Sequence, residues 1–487
     1  MAFDLVLFGG TGDLTWRKLM PALFQAWRHG KLPEGGRILA ISRQELDDDG
    51  YRAWLKDRFH EVEDAKRPSD EEFDRFAALL HHLRLDLSQS ADYARLRDWL
   101  AAPIGRAAPA DVVVMYLATS PDLFPVVCAQ LGAAALNGPN VRVVLEKPLG
   151  HDLASAQQIN RVVRSVFSEA QEYRIDHYLG KPAVQNLMAL RFGNVLFEPL
   201  WRRECIANVQ ITIAESIGVG TRGDFYSRTG ALRDMIQNHA LQLLTMVAME
   251  PPSRMVADAI RDEKLKVLRS LKPFTPDSVG RDVVRGLYRA GTVDARPVPG
   301  FLEEDKVPRS STTETFVALR TEVQNWRWAG VPFYLRTGKR LAERDAQIVV
   351  NFRRTPHTLF PGANPPNKLV IKLQPEDGLE LHLLAAKGAG QAEALAPVSL
   401  DLDFDKAFAE NRVGAYERLL LDVIAGRLNL FVRSDEQEEA WRWVEPVLEA
   451  WRRDDAPPLR PYAAGTWGPA AASALVARDG YAWAEED

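Results

Sequence analysis

The sequence predicts an α/β fold, in which a Rossmann-type dinucleotide-binding domain is followed by a large α+β domain with a mostly antiparallel sheet. Three observations support this prediction. Short apolar runs alternate with helix-compatible stretches in the first third of the 487 residues, and a glycine-rich turn follows the first apolar run. After about residue 177, strands that alternate apolar and polar residues replace the continuous runs. We therefore expect one domain at 1–177 and a second at 178–487.

The first domain begins with strands that are apolar along their whole length. A helical pattern at 13–28 follows the first of them, and other helix-compatible stretches lie between the rest. Strands that alternate with helices favour a parallel sheet with right-handed crossovers, and continuous apolar runs suit a sheet covered on both faces. The predicted strands are 4–8, 37–42, 83–87, 112–117 and 141–146.

The second domain shows the alternation that is typical of antiparallel strands. Residues 208–216 and 315–325 alternate, and the turn sequence PEDG at 375–378 joins two further strands, 367–374 and 379–385. Helical patterns interrupt the strands, so we expect an α+β architecture. The predicted helices here are 230–249 and 414–426.

Composition excludes several classes of protein. A hydrophobic fraction of 46% and a charged fraction of 26% argue against disorder, and a net charge of −5 gives no broad electrostatic reason to bind nucleic acid. No apolar run reaches the roughly 18 residues of a membrane span, and the N-terminus lacks the pattern of a secretion signal. Cys128 and Cys205 form neither a disulfide framework nor a metal-binding pair. We expect a cytoplasmic protein without a metal, a membrane or a nucleic-acid partner.

The glycine-rich turn lies between the first predicted strand and the first predicted helix. Glycines at this place let backbone N–H groups approach a pyrophosphate at the start of a helix. The spacing departs from GxGxxG because Thr15 stands where the third small residue belongs. A tight turn without a ligand is the alternative. The candidate cofactor residues of the turn are Gly9, Gly10, Thr11, Gly12, Asp13 and Leu14.

The end of the second predicted strand indicates which dinucleotide would bind. NAD enzymes usually carry an acidic residue there for the ribose 2′-hydroxyl, whereas this chain has Ser42 and Arg43. A hydroxyl and a guanidinium suit a 2′-phosphate, so we expect NADP. The alternatives are that Arg43 is a solvated surface residue, and that the protein accepts NAD as well as NADP.

Two segments carry further polar residues suited to a substrate. The segment EKPLG at 146–150 ends a predicted strand, so Lys147 would lie at the ligand-binding edge of the sheet. The segment RIDHYLGK at 174–181 combines an acid, an imidazole, a phenol and an ammonium. Each of these side chains, taken singly, could equally be a surface or packing residue.

These segments, with several others, closely resemble the glucose-6-phosphate dehydrogenase family of bacterial type. The resemblance runs nearly from end to end, and RIDHYLGK is its most specific segment. Thr15 stands where the family often has alanine, which would loosen the helix packing slightly. The matching segments are 9–19 (GGTGDLTWRKL), 146–150 (EKPLG), 174–181 (RIDHYLGK), 233–239 (RDMIQNH), 331–341 (VPFYLRTGKRL), 416–422 (YERLLLD) and 464–469 (AGTWGP).

The resemblance implies a reaction and an assembly. Family members oxidise C1 of glucose 6-phosphate with hydride transfer to NADP, which gives 6-phosphoglucono-lactone at the entry of the pentose phosphate pathway. The active site would lie between a Rossmann domain and a β+α substrate-binding and oligomerisation domain. We would expect a homodimer or a homotetramer.

The resemblance also implies residue roles. His239 matches the general base, and Asp176 matches the carboxylate that orients it. On an α-helix, Asp234 and His239 would lie about 140° apart and would not touch. Lys147 matches a lysine that contacts both the sugar and the cofactor. The residues that match the substrate-binding set are Lys147, His177, Tyr178, Lys181, Glu215, Asp234, Lys339 and Arg344.

A catalytically inactive homologue is an alternative of a different class. Such a protein would bind NADP or a sugar phosphate as a regulator or assembly partner. A missing base or phosphate ligand would indicate it. The sequence retains His239, Asp176, His177, Lys181 and Lys147, which favours an enzyme.

Overall fold

The computed structural model describes residues 1–59, 61, 67–102, 108–357, 359–360, 364–387, 395–407 and 413–486. The chain divides into two compact units. The first unit comprises Met1–Gly180, Met255–Arg261 and Val413–Glu438, and the second comprises Lys181–Arg254, Asp262–Arg412 and Glu439–Asp487. The expected continuous division at 177/178 differs from these units, because the first boundary follows Gly180 and two later segments belong to the first unit.

The strands are numbered in chain order. They are β1 (Phe3–Phe8), β2 (Arg37–Ser42), β3 (Leu80–Arg84), β4 (Val112–Leu117), β5 (Val141–Leu145), β6 (Glu172–Ile175), β7 (Ile206–Ala214), β8 (Val283–Arg289), β9 (Gly291–Val293), β10 (Arg296–Val298), β11 (Phe316–Glu322), β12 (Pro332–Gly338), β13 (Asp345–Phe352), β14 (Lys368–Gln374), β15 (Gly378–Ala386), β16 (Leu395–Asp403), β17 (Phe431–Val432) and β18 (Leu459–Ala463).

The helices are numbered in the same way. Two π-helical segments, Thr15–Leu19 and Leu232–Ala240, directly precede α-helices. The α-helices are α1 (Met20–Arg28), α2 (Asp48–Phe59), α3 (Asp70–Ala77), α4 (Ser90–Ala101), α5 (Phe124–Ala133), α6 (Leu153–Arg164), α7 (Pro182–Gly193), α8 (Gly223–Ala231), α9 (Leu241–Ala248), α10 (Ala257–Arg269), α11 (Pro276–Asp282), α12 (Phe404–Ala407), α13 (Ala415–Ala425), α14 (Ser434–Arg452) and α15 (Ala470–Ala477).

The sheet of the first unit has the strand order of a Rossmann fold. Among the described residues it contains seven strands in the order β3-β2-β1-β4-β5-β6-β17. Strands β1 to β6 are parallel, and β17 is antiparallel to β6. The predicted parallel sheet is confirmed for β1 to β6.

Apolar side chains cover both faces of this sheet. Leu5 and Leu7 of β1 join a core cluster shared with α1 and α13. Val6 and Phe8 of the same strand join a second cluster shared with α4 and α5. Burial on two sides explains why the strands are continuous apolar runs.

The sheet of the second unit is mostly antiparallel, as predicted. Among the described residues, nine strands follow the order β16-β15-β14-β13-β7-β12-β11-β8-β18. The two parallel pairs are β7 with β12 and β8 with β18. The predicted hairpin at 367–385 is present as β14 and β15, which are joined across the PEDG turn.

The C-terminal residues pack against this second sheet and bond to it. The Arg336 guanidinium of β12 lies 4.1 Å from the ring centre of Trp483 and forms an ion pair with Glu485. Gln210 of β7 donates to the carbonyl oxygen of Ala482 at 2.7 Å. Trp483 is fully buried, so its burial contributes to the stability of this unit.

Some element boundaries differ from the predictions. The third strand is Leu80–Arg84, three residues before the predicted 83–87, because its centre carries His81 and His82 and therefore lacks an apolar pattern. Cys128 and Cys205 are both free. Within the described residues, no helix is long and apolar enough to cross a membrane.

Candidate active site

The glycine-rich turn of the first unit connects β1 to the first helix. Gly9 has a φ of +92°, and an added Cβ would meet the carbonyl oxygen of Ala118 at 2.6 Å. A Cβ on Gly10 would meet the Cβ of Ala40 at 2.6 Å. The N–H groups of both glycines donate to the Ile41 carbonyl oxygen, at 3.0 and 2.7 Å. The turn therefore requires glycine at both positions, and bare backbone precedes the helix, where a pyrophosphate fits.

The rest of the turn is closed by hydrogen bonds to Gly9. The Gly12 N–H donates to the Gly9 carbonyl oxygen at 2.9 Å, and the hydroxyl of the buried Thr15 donates to the same oxygen at 2.9 Å. The hydroxyl that distinguishes Thr15 from alanine is thus bonded within the turn. The other predicted cofactor residues of this segment are Thr11, Gly12, Asp13 and Leu14.

The two residues predicted to recognise a 2′-phosphate differ in exposure. Ser42 ends β2 and is buried, and its Oγ lies 2.9 Å from Nε2 of His82. Arg43 is exposed and begins the loop at 43–47 that leads to α2. An exposed guanidinium at this place fits a phosphate, whereas the Ser42 hydroxyl is bonded inside the protein.

Lys147 and Asp176 lie at the carboxyl edge of the first sheet. Lys147 comes two residues after β5, and Asp176 directly follows β6. Leu145 and Arg174 are partners in the parallel pairing of these strands. Asp176 is buried and accepts a hydrogen bond from the Tyr178 N–H at 2.9 Å. Ligands of open α/β sheets bind at this edge.

Glu146 adds a buried carboxyl that the sequence does not predict as a site residue. It lies between β5 and Lys147, and the Tyr116 hydroxyl of β4 donates to it. Burial raises the pKa of Glu146 to about 7, although the Tyr116 hydrogen bond and the Lys147 charge oppose the rise; the nearby Asp176 carboxylate adds to it. This carboxyl therefore exchanges its proton near neutral pH.

Aromatic rings surround His177 in the first unit. Its ring centre is 4.9 Å from that of Tyr178, and it is stacked on Tyr416 of α13 at 6.0 Å with an interplanar angle of 9°. Burial raises the pKa of Tyr416, and the carboxylates of Glu146 and Asp176 raise it further. The phenol therefore stays protonated, and the stacked ring fixes the orientation of the imidazole.

Glu215 and Lys339 form an ion pair in the second unit. They follow β7 and β12, which are parallel neighbours, so the two side chains leave the sheet at the same edge. Lys339 Nζ lies 2.5 Å from Glu215 Oε2 and 5.0 Å from the ring centre of Tyr226. Burial raises the pKa of Tyr226, and Asp234 and Glu215 contribute to the rise. Carboxylates, an ammonium and a phenol in one place suit a ligand rich in hydroxyl groups.

Asp234 and His239 lie on a π-helix, which corrects the predicted geometry. The segment Leu232–Ala240 is π-helical, and its hydrogen bonds join residues five apart. Asp234 and His239 are five apart, so they lie about one turn from each other and not on separate faces. His239 is fully buried and Asp234 is partly buried. Single π-helical segments are frequent at functional sites.

Lys181 and Arg344 supply positive charge in the second unit. Lys181 precedes α7 and its Nζ donates to the Leu373 carbonyl oxygen at 2.9 Å. Burial lowers the pKa of Lys181 to about 8; the Asp377 carboxylate opposes this and the Arg344 charge adds to it. A buried ammonium beside a guanidinium and a helix N-terminus suits a phosphate.

The structure assembles the predicted substrate residues into three groups, each within one unit. Four residues of these sites have contacts from segments distant in the chain and were not predicted from the sequence: Glu146, Tyr226, Tyr416 and His82. A buried tyrosine or histidine carries no local signal, because its partners are brought to it only by folding. The three groups are Lys147 with Asp176, His177 and Tyr178; Glu215 with Lys339 and Asp234; and Lys181 with Arg344.

Family models match both parts of the chain. The model described as the NAD binding domain of glucose-6-phosphate dehydrogenase matches residues 6–186. The model of the C-terminal domain of glucose-6-phosphate dehydrogenase matches residues 188–484.

Individual proteins are similar over nearly the full length. The glucose-6-phosphate 1-dehydrogenase of Mycolicibacterium smegmatis is 49% identical over 483 residues, which cover 99% of this chain and 97% of the relative. That of Rhizobium meliloti is 46% identical over 484 residues, with 99% and 97% covered. A solved glucose-6-phosphate dehydrogenase in complex with its substrate glucose-6-phosphate matches with a TM-score of 0.90 and 32% identity, over 99% of this chain and 98% of that one.

Proposed function

The chain belongs to the glucose-6-phosphate dehydrogenase family, and from this membership we propose that it oxidises C1 of glucose 6-phosphate and transfers the hydride to NADP. This oxidoreductase reaction yields 6-phosphoglucono-lactone and is the entry step of the pentose phosphate pathway. The observation that carries the proposal is the 49% identity to a glucose-6-phosphate 1-dehydrogenase across 99% of the chain. Identity of that extent covers the nucleotide-binding and the substrate-binding parts together.

Residues of the first unit would hold the cofactor. The turn from Gly9 to Leu14 offers bare backbone at a helix start for the pyrophosphate, and Arg43 offers an exposed guanidinium for the 2′-phosphate. Lys147, at the carboxyl edge of the sheet, would contact both cofactor and sugar. When bound, NADP supplies the acceptor for the hydride that leaves C1.

Two sets of residues would hold the sugar phosphate. His177, Tyr178 and Lys181 would bind the phosphate, with Arg344 as a further cation. Burial lowers the pKa of Lys181 to about 8, so a bound phosphate anion would favour the protonated form of this side chain. The residues that would bond the sugar hydroxyls are Glu215, Asp234, Lys339 and Lys147.

His239 would accept the proton of the C1 hydroxyl. As the hydride leaves C1, the O–H bond breaks, a ring nitrogen of His239 takes the proton and the C1–O bond becomes a carbonyl. Asp176 would orient this imidazole and stabilise its cation. Both side chains are buried, and a desolvated carboxylate acts more strongly on a charge than a solvated one does.

The functional division, location and assembly are also part of the proposal. Residues 1–177 would bind NADP, and 178–487 would bind the sugar phosphate and form oligomers. We expect a cytoplasmic homodimer or homotetramer. Support for self-association comes from β16, an edge strand of the second sheet, on which Val398, Leu400 and Leu402 are 43%, 62% and 47% exposed.

A spectrophotometric assay tests the activity. The purified chain is incubated with glucose 6-phosphate and either NADP or NAD, and the absorbance of the reduced nicotinamide is followed. We expect turnover with NADP and a much lower rate with free glucose. Absence of turnover in the wild type with both dinucleotides would refute the proposal, and His239→Asn is the matched negative control.

A further inference from the structure

His82 holds both ends of the loop at 43–47, which carries Arg43. Its Nε2 lies 2.9 Å from the Oγ of Ser42, directly before the loop, and its Nδ1 lies 2.9 Å from the carbonyl oxygen of Leu46. Its backbone N–H donates to Asp48 Oδ1, at the start of α2, at 2.8 Å. One buried residue of β3 is thus bonded before, within and after a loop that it does not belong to.

The two ring contacts determine the tautomer and the direction of each hydrogen bond. A carbonyl oxygen can only accept, so Nδ1 must carry a proton and donate to Leu46. Burial lowers the pKa of His82 and keeps the ring neutral, so Nε2 accepts from the Ser42 hydroxyl. The Ser42 Oγ then accepts from the Gln44 N–H at 3.2 Å.

This arrangement changes the role of Ser42. Its single hydroxyl proton is donated to His82, so it has none to donate to a 2′-phosphate. Ser42 as a whole residue also exposes only 8% of its surface to solvent. Of the two residues predicted to recognise the 2′-phosphate, only Arg43 remains available to bind it. Ser42 acts on the loop through His82.

The same histidine is connected to the glycine-rich turn through Tyr51. The two rings are stacked at 5.4 Å with an interplanar angle of 22°. The Tyr51 hydroxyl donates to the Gly10 carbonyl oxygen at 2.9 Å, and Tyr51 is fully buried. The Tyr51 hydroxyl thus bonds to the turn directly, whereas His82 approaches the turn only through the stacked ring.

We propose that His82 is a positioning residue for cofactor selection, which holds the loop at 43–47 so that Arg43 meets the 2′-phosphate of NADP. The proposal rests on the proposed use of NADP. A guanidinium on an unsupported loop would lose conformational entropy when it binds, and a loop bonded at both ends has already lost it. His82 therefore contributes to NADP binding without touching the cofactor, and it contributes little to the binding of NAD, which has no 2′-phosphate.

Equilibrium binding tests this role without turnover. Isothermal titration calorimetry with NADP and with NAD, without sugar phosphate, is performed on the wild type, His82→Asn, Ser42→Ala and the double variant. Asparagine places its amide near the Nδ1 position, so it retains a donor for Leu46 and loses the link to Ser42. We expect each single variant to weaken NADP binding by about fivefold to tenfold and NAD binding by less than about twofold. Both substitutions break the bond between Ser42 and His82, and Ser42→Ala also removes the acceptor of the Gln44 N–H. The double variant should therefore bind NADP about as weakly as Ser42→Ala alone.

His81→Asn is the matched control. His81 is the neighbouring residue of β3 on the opposite face, where its Nδ1 lies 2.7 Å from Asp48 Oδ2 and its ring meets Trp99 edge-on. We expect this variant to retain the wild-type ratio of NADP to NAD affinity. Melting temperatures of all variants report folding, and Ser42→Ala tests the same bond if His82→Asn does not fold.

Four results would overturn the proposal. Equal weakening of NADP binding and NAD binding would mean that His82 supports the nucleotide domain as a whole. Weaker NADP binding in Ser42→Ala with unchanged binding in His82→Asn would mean that Ser42 contacts the phosphate itself. Additive losses in the double variant would mean that Ser42 and His82 act independently, and not through their shared bond. A wild type that binds NADP no better than NAD would refute the proposed NADP use as well, and it would do so without any variant.

Discussion

Replacing Glu146 by glutamine should make the protein increasingly more stable than the wild type as the pH rises from about 5 to about 8. Glu146 is 6% exposed and accepts a hydrogen bond from Tyr116. Burial raises its pKa from 4.5 to about 7. A folded-state pKa above the unfolded value favours folding while the group is protonated in both states. That stabilisation is lost as the pH rises from the unfolded pKa through the folded pKa.

The magnitude follows from the size of the shift. The two pKa values differ by about 2.5, and each unit corresponds to about 1.4 kcal/mol, so the complete loss is about 3 kcal/mol. Glutamine does not ionise, and its amide oxygen can still accept from the Tyr116 hydroxyl. The advantage of Glu146→Gln over the wild type should therefore increase by about 2–3 kcal/mol between pH 5 and pH 8.

Urea denaturation at several pH values measures this difference. The free energy of unfolding of Glu146→Gln minus that of the wild type is plotted against pH, which cancels the contributions of other titrating groups. Glu34→Gln, an exposed glutamate of the same unit, is the control and should give a flat line. A flat line for Glu146→Gln, or one that falls between pH 5 and pH 8, would refute the argument from burial.

Four further predictions concern the site and the C-terminus. His239→Asn should lower kcat by several orders of magnitude with little change in sugar-phosphate binding, and near-normal turnover would exclude His239 as the base. The KM for glucose 6-phosphate should rise above about pH 8, where Lys181 loses its proton, and Lys181→Ala should raise KM at all pH values and remove this dependence. A KM profile that is the same in wild type and variant would place the phosphate elsewhere. Arg43→Ala should lower kcat/KM for NADP by about tenfold or more and leave kcat/KM for NAD nearly unchanged. Equal losses for both cofactors would mean that Arg43 supports the fold. Trp483→Ala should destabilise the protein by about 3–5 kcal/mol because the ring is fully buried, and an unchanged urea midpoint would contradict that packing.

Local pattern was sufficient to predict the Rossmann sheet. Strands β1, β2, β4 and β5 were predicted within one residue at each end, because a strand buried on both faces must be apolar along its length. The predicted position of β3 was three residues too late in the chain, since His81 and His82 occupy the centre of the strand and interrupt its apolar pattern. Ser42 and Leu46 satisfy the ring nitrogens of the buried His82, and these partners cannot be identified from the sequence of the strand.

The sequence predicts two domains that are each continuous in the chain. Such a division cannot include Met255–Arg261 and Val413–Glu438, which belong to the first unit. Helix α13 was predicted as a helix at 414–426, but its packing on the Rossmann sheet was not. Its apolar face shows that it must be buried, without showing against which sheet. Tyr416, which stacks on His177, enters the candidate site through this packing.

The sequence by itself determined the order of elements, the glycine turn and the identity of the polar residues, because these depend on neighbours within a few positions. Tertiary structure alone decided which polar atoms meet. It paired Lys339 with Glu215, which are 124 residues apart, and it bonded the Ser42 hydroxyl to His82. It also wound Leu232–Ala240 as a π-helix, so that Asp234 and His239 lie a turn apart. Hydrogen bonds and ion pairs act over a few ångströms, and only the folded chain brings residues so distant in sequence within that range.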